Sequence, residues 1–282
     1  MSSNLPLKAT IIGCGYVGMA VAKRWRQRGL TVTATTTSPE RIPELETVAD
    51  RAVVLTGSDP GALQDCLGDQ QVVLVCVGSK RGTSYTDTYL RTAKTLVEVL
   101  PQTPVQQLIY TSTYSVYGQH HGRWVTEEMP VEPVTDNGQI IATAEQTYLS
   151  ATLPDRKVCI FRLGGIYGPG RELAKIYGRS AGQTRPGNGE EASNWVHLDD
   201  IVGAIDFACE QSLDGLYNLV QDEIPTVKAL IARVCQYNNL APITWDPSQP
   251  SARPYNAKVS NQKLKAAGYP FVHPTFELPH QP

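Results

Sequence analysis

The chain has 282 residues and a formal net charge of -2, from 25 basic and 27 acidic side chains. That length buries a sizeable core, as one large α/β domain or as a large domain with a small lobe. The near-neutral balance lacks the basic stripe that counters a phosphate backbone, which argues against nucleic acid. No apolar run reaches the roughly 18 residues of a membrane span, so no membrane association is expected.

The opening MSSNLPLKATIIGCG has no charged leader before an apolar stretch, so no signal peptide is expected. Ala9–Gly13 (ATIIG) reads as a buried strand and Met19–Gly29 as a helix closed by glycine. Thr31–Thr36, Ala52–Gly57 and Gln71–Gly78 read as the next three strands. Thr88–Pro101 reads as a helix stopped by proline, followed by strands at Gln107–Ser112 and Val158–Leu163. Continuous apolar strands separated by helices imply a parallel sheet covered on both faces.

After Leu163 the pattern changes. Gly and Pro punctuate GGIYGPGR (Gly164–Arg171) and GQTRPGNGEE (Gly182–Glu191). Asn194–Gln211 reads as a short strand and a helix, Gly215–Val220 as a strand, and Thr226–Asn238 as a helix. From Ala241 onward the chain is proline-rich with little periodicity. The expected organisation is a main domain over residues 1–165, with 194–220 returning to it. Residues 166–193 and 221–282 then form a small substrate lobe over the sheet's C-terminal edge, where ligands bind in open α/β folds. Cys14, Cys66, Cys76, Cys159, Cys209 and Cys235 are scattered, without a CxxC pair. They read as reduced core residues of a cytoplasmic protein, and no metal site is expected.

GCGYVG places Gly13, Gly15 and Gly18 in GxGxxG spacing after a predicted strand and at the opening of a predicted helix. That context makes the motif a dinucleotide fingerprint, and with it the sheet reads as a Rossmann-type doubly wound fold. Gly13 permits the tight turn, Gly15 lets the backbone approach a pyrophosphate, and Gly18 lets helix pack on strand. Tyr16 and Val17 lie between them, where amides at the helix start face the phosphates. Val77 and Gly78 close the fourth strand beside this turn. An NAD-preferring protein carries a carboxylate about 20 residues past the glycines. Here Thr35, Thr36, Thr37 and Ser38 stand there instead, with Arg41 beyond. Hydroxyls and a guanidinium suit a 2′-phosphate, so NADP is expected in preference to NAD; Arg41 as a solvated helix residue is the other reading.

Several segments then resemble the extended short-chain dehydrogenase/reductases, the NAD-dependent epimerase/dehydratase family. YTSTYSVYG (Tyr110–Gly118) is similar to the family's strand-five segment, TEEMPVEP (Thr126–Pro133) to its Glu-x-x-Pro-x-x-Pro stretch, and FRLGGIYGPGR (Phe161–Arg171) to its strand-six segment. NWVHLDDIVGAI (Asn194–Ile205) is similar to its Val-His-x-x-Asp motif and GLYNLV to its next strand. GxGxxG in place of the more usual TGxxGxxG points to an atypical branch, and EPVTDNG together with GPGR resembles YeeZ-like proteins. The resemblance implies a catalytic role for Thr113, the hydroxyl residue four positions before the tyrosine of VYG. It also implies a YxxxK pair with a glutamate four residues past the lysine. Anchored on Glu145, the tyrosine position is Asn137 and the lysine position Ile141. Asparagine exchanges no proton near neutral pH and isoleucine carries no charge, so the usual acid/base is missing.

No neighbouring residue is a ready substitute. Tyr114 points to the other face of the strand from Thr113. Tyr117 and Tyr148 read as packing residues, and His120 and His121 as solvent-exposed loop residues. His197 and Asp200 read as structural hydrogen-bonding residues. Asn137 would orient a substrate carbonyl or water by hydrogen bonds. Tyr167 and Arg171, on the loop after strand six, are substrate-binding candidates. Two functions remain open from sequence. One is an NAD(P)-dependent oxidoreductase or epimerase with a non-standard acid/base, acting on a small molecule such as a nucleotide sugar. The other is a non-catalytic NADPH-binding sensor or partner-binding protein.

Overall fold

A computed structural model of the chain describes residues 8–79 and 82–276. Residues 1–7 of the opening stretch, on which the reading of no leader rests, and the last six residues of the expected lobe lie outside the described residues. The strands are β1 (Lys8–Ile12), β2 (Thr31–Thr36), β3 (Arg51–Val54), β4 (Val72–Val75), β5 (Gln107–Thr113), β6 (Trp124–Val125), β7 (Lys157–Leu163), β8 (Gly165–Tyr167), β9 (Thr184–Pro186), β10 (Trp195–His197), β11 (Gly215–Leu219), β12 (Thr244–Asp246) and β13 (Lys258–Val259). The helices are α1 (Tyr16–Gln27), α2 (Ile42–Glu46), α3 (Pro60–Leu67), α4 (Thr92–Val99), α5 (Asp136–Leu149), α6 (Leu173–Gly178), α7 (Leu198–Gln211), α8 (Val227–Tyr237) and α9 (Gln262–Ala266).

Seven strands form one sheet in the order β11-β7-β5-β4-β1-β2-β3. β1 pairs parallel with β2 and β4, β2 with β3, and β4 with β5. The order turns back at β1, with β2 on one side and β4 on the other, which makes a crevice at the C-terminal ends of β1 and β4. The central strands are buried because helices cover both faces: every residue of β4 is buried, as are four of the five in β1, whereas the edge strand β3 has no buried residue.

Local signals explain the elements that frame this crevice. α1 ends in a Schellman motif, in which the Gly29 N–H donates to Arg26 O at 2.9 Å and the Leu30 N–H to Trp25 O at 3.1 Å. Gly29 supplies the positive φ of +85°, and Trp25 and Leu30 are both buried beneath it. The proline-stopped helix of the sequence reading is wound differently at its start, with Thr86–Arg91 as a π-helical segment leading into α4. A short turn at Leu100–Gln102 carries Pro101 and closes it.

The chain falls into two compact units. The first takes the chain up to Thr113, then Thr135–Arg162 and Ile201–Tyr217. Its core includes Leu63, Val73, Val75, Leu96, Leu108 and Ile160. The second takes Tyr114–Val134, Leu163–Asp200 and the chain from Asn218. Residues 114–134 and 194–200, which the sequence reading groups with the main domain, pack within this second unit. It is held by short parallel pairs, β8 with β10, β9 with β12, and β6 with β13. Buried Asn194 stitches it together: its side-chain amide donates to Ala257 O and its Oδ1 accepts from the Val259 N–H, both at 2.9 Å.

Candidate functional site

The chain leaves β1 and turns at Gly13, whose φ of +81° suits glycine. A Cβ there would lie 2.8 Å from Val77 Cα and 3.0 Å from Val77 N, so the turn is pressed against the backbone that follows β4. The Gly13 N–H donates to Thr35 Oγ1 at 3.1 Å, and the Cys14 N–H donates to Thr35 O at 2.8 Å. α1 then starts at Tyr16, with Gly15 as its N-cap, no capping side chain and no acid in its first turn. The opening amides of any α-helix lack intrahelical acceptors and carry partial positive charge, the arrangement that receives phosphate. A Cβ on Gly15 would meet only Gly13 O, at 4.0 Å, so the surface over Gly15 is open. A Cβ on Gly18 would meet Ile11 and Cys76 at 3.0 Å, which is the close helix–strand approach. Val77 is half-buried and Gly78 exposed beside this turn.

The end of β2 divides its hydroxyls into two roles. Thr35 and Thr36 are buried, and each holds backbone: Thr35 Oγ1 accepts from Gly13, and Thr36 Oγ1 accepts from the Ser38 N–H at 3.1 Å. Thr37 is exposed and Ser38 half-buried. Arg41 is not a freely solvated helix residue. Its Nη1 donates to Cys14 O at 2.8 Å and its Nε to Glu44 Oε2 at 2.8 Å. The guanidinium therefore sits against the glycine turn, partly neutralised by Glu44. Burial pushes the Cys14 thiol up to about 12 despite the opposing pull of Arg41, so it remains protonated and unreactive near neutral pH.

Thr113 ends β5 and is half-buried. Asn137 is exposed in the first turn of α5, which is capped by Thr135 accepting from the Gly138 N–H. Ile141, one turn on, is 7% exposed. Glu145 is buried completely in an ion pair with Arg162. Arg162 Nη2 donates to Oε2 at 2.7 Å, Nε lies 3.1 Å from Oε1, and the Ser112 hydroxyl donates to Oε1 at 2.6 Å. The Tyr148 ring packs at a 42° tilt against Tyr110, centroids 4.6 Å apart, and burial raises both phenols well above their ordinary range. Neither is an acid/base near neutral pH.

The remaining sequence candidates lie in the second unit. Tyr167 is 8% exposed, and its hydroxyl donates to Gln221 Oε1 at 3.0 Å. It packs in the core formed by Trp195, Tyr177, Leu230 and Phe276. Arg171 is exposed on the loop after β8. Tyr117 is buried and donates to Asn218 Oδ1 at 2.8 Å, while Tyr114 packs edge-on against Tyr255. Buried Asp200 accepts the backbone N–H groups of Val272 at 2.7 Å and His273 at 2.9 Å. His120 Nε2 lies 3.0 Å from Tyr117 O, and His121 is exposed. A polar cavity of about 530 Å³ is lined by Gln119, His121, Glu190, Arg253 and Asn256. No local motif announces it, because its walls come from three distant stretches of chain.

A sequence profile of the NAD dependent epimerase/dehydratase family matches residues 9–219. The chain is 29% identical over 248 residues to Protein YeeZ of Escherichia coli (strain K12), covering 83% of this chain and 85% of that one. Among solved structures it resembles a functionally unknown conserved protein from Silicibacter pomeroyi DSS, with a TM-score of 0.78 and 22% identity over 95% of this chain and 94% of that one. It also resembles MoeE5 in complex with UDP-glucose and NAD, with a TM-score of 0.74 and 21% identity over 94% and 93% of the two chains. These two likenesses show a shared fold.

Proposed function

Because this chain belongs to the NAD-dependent epimerase/dehydratase family, we propose that its first unit binds a nicotinamide dinucleotide, NADP in preference to NAD, without the family's usual acid/base pair. The observation that carries this reading is the pairing of an open glycine turn and uncapped α1 with Asn137 and Ile141 in α5. The turn suits a pyrophosphate. Thr37 and Ser38 follow β2, Arg41 sits against the glycine turn and no carboxylate ends β2, a set of groups that would suit a 2′-phosphate. MoeE5 holds NAD and UDP-glucose on a similar fold, which supports a nucleotide cofactor and a nucleotide-sugar class of small molecule here.

When bound, the nicotinamide would supply hydride exchange. The chain's own residues would orient rather than titrate: Thr113 offers a hydroxyl, and the exposed Asn137 amide offers a donor and an acceptor to a carbonyl or water. Of the substrate-contact candidates, Arg171 keeps an accessible position, whereas Tyr167 serves the core of its unit. The absent pair favours the second reading, a protein that binds NADPH for sensing or partner contact, wherever common nucleotide sugars are offered.

The test is a cofactor-coupled screen of wild type and Thr113→Val on UDP- and GDP-sugars. Loss of a general acid/base typically costs about 10²–10⁴-fold. Wild-type turnover is therefore expected at least two orders of magnitude below a family enzyme that retains the tyrosine and lysine, with Thr113→Val lowering any residual rate. Robust turnover by the wild type would show that a substitute acid/base exists and would overturn the reading.

A further inference from the structure

We propose that His197, Asp199 and His273, in the second unit, form a binding site for a divalent first-row transition-metal ion of the zinc class, which clips the C-terminal segment to the start of α7. Their ligand atoms all lie within 4.8 Å of one another. Asp199 Oδ2 is 3.5 Å from His197 Nδ1 and 3.2 Å from His273 Nε2. A tetrahedral zinc with bonds of about 2.0–2.1 Å sets neighbouring ligand atoms about 3.3–3.4 Å apart. Two edges of the triangle already match that spacing. Two imidazoles and one carboxylate suit zinc, cobalt or nickel, and disfavour magnesium and calcium, which prefer all-oxygen sets.

The fold holds these groups in place by means independent of an ion. His197 ends β10, which is paired with β8, and its ring packs 5.0 Å from that of Tyr167. Asp199 follows in the first turn of α7. His273 arrives from 74 residues further on because buried Asp200 grips its backbone and that of Val272, and because the Tyr269 hydroxyl donates to Asp200 O at 2.9 Å. Both histidine side chains are 12% exposed and Asp199 is 60% exposed, so the cluster is largely shielded on the histidine side and reachable from solvent at Asp199. Coordination asks for two changes: the Asp199 N–H now donates to His197 Nδ1 at 3.2 Å and would release that lone pair to the ion, and the two imidazoles, whose ring centroids lie 3.8 Å apart at 40°, would part so that both nitrogens converge on it. Three protein ligands leave a position for water, the ligand count of open zinc sites.

The experiment uses the full chain without a histidine tag, stripped with chelator and titrated with zinc alone. One ion per chain is expected, and thermal unfolding should shift upward with zinc concentration, since a ligand that binds only the folded state stabilises it by mass action. Cobalt in place of zinc should give a visible spectrum of nitrogen-ligated tetrahedral type. Asp199→Asn and His273→Gln should each weaken zinc by at least about 100-fold, the upper end for losing even a supporting group. Asp199 is exposed, so its variant keeps the test readable if the His273 variant folds poorly. A melting temperature indifferent to zinc would overturn the proposal and leave a hydrogen-bonded His–Asp–His cluster only. Binding undiminished in both variants would overturn it as well.

Discussion

Replacing Arg162 with leucine is expected to lower folding stability by about 3–5 kcal/mol, the cost of leaving one partner of a buried ion pair behind. Arg162 is 1% exposed and Glu145 fully buried. The guanidinium reaches from β7 to α5 with bonds to both carboxylate oxygens, and Ser112 on β5 supplies a further donor. Without Arg162 the carboxylate keeps the Ser112 hydroxyl and loses its counter-charge while remaining buried. The double replacement Glu145→Leu with Arg162→Leu is expected to recover most of the loss, because desolvation of both charges offsets much of their attraction. Urea unfolding distinguishes these cases: the midpoint should fall in the single variant at unchanged slope and return in the double. A single variant as stable as wild type would show that the pair is not the clamp joining α5 to the sheet.

Gly13→Ala is expected to weaken dinucleotide binding by about 100-fold, because the added methyl collides with the backbone after β4 and displaces the turn proposed to hold the pyrophosphate, beside the roughly 1–3 kcal/mol of stability that a side chain at positive φ costs. The added methyl would meet Val77 Cα at 2.8 Å and Val77 N at 3.0 Å. Backbone cannot swing aside as a side-chain tip can, so either the turn or the end of β4 must move. Both lie at the crevice where the pyrophosphate is proposed to sit. The far-ultraviolet spectrum should stay native while calorimetric titration with NADPH loses its signal. Gly29→Ala is the control: it has a similar φ of +85° and an open surround, and it lies at the far end of α1. It should cost stability and leave binding near wild type. Equal binding by Gly13→Ala and wild type would remove this turn from the site.

The central sheet was legible because its inner strands β1 and β4 are buried and read as apolar runs bounded by glycine. The glycine turn was legible for a related reason: a Cβ at Gly13 collides with backbone and one at Gly18 crowds Ile11 and Cys76, so spacing and geometry coincide. The role of the hydroxyls at the end of β2 was not. Thr35 and Thr36 looked like ligand partners, but both are buried and hold the backbone, a choice that depends on how far the strand runs before it turns. The second unit was the least legible. Its strands are two or three residues long, too short for a period of two to show, and β6 pairs with β13 across more than 130 residues. A separation of 74 residues likewise hid the His197–Asp199–His273 cluster. His197 was visible within a motif, but nothing local marks His273 as its neighbour, since Asp200 draws the two together through backbone amides.

The most direct test of the account is calorimetric titration of the wild-type chain with NADPH and with NADH, repeated on Arg41→Ala. Arg41 is held against the glycine turn by Cys14 O and Glu44. A charge-assisted contact to a 2′-phosphate is worth about 1.5–3 kcal/mol, or roughly tenfold and more in affinity. The expected result is one site, tighter NADPH than NADH, and a preference that shrinks about tenfold or more in Arg41→Ala while NADH binding barely changes. Tighter binding of NADH would contradict the assignment of the β2 end to a 2′-phosphate, and binding of neither would contradict the dinucleotide site itself.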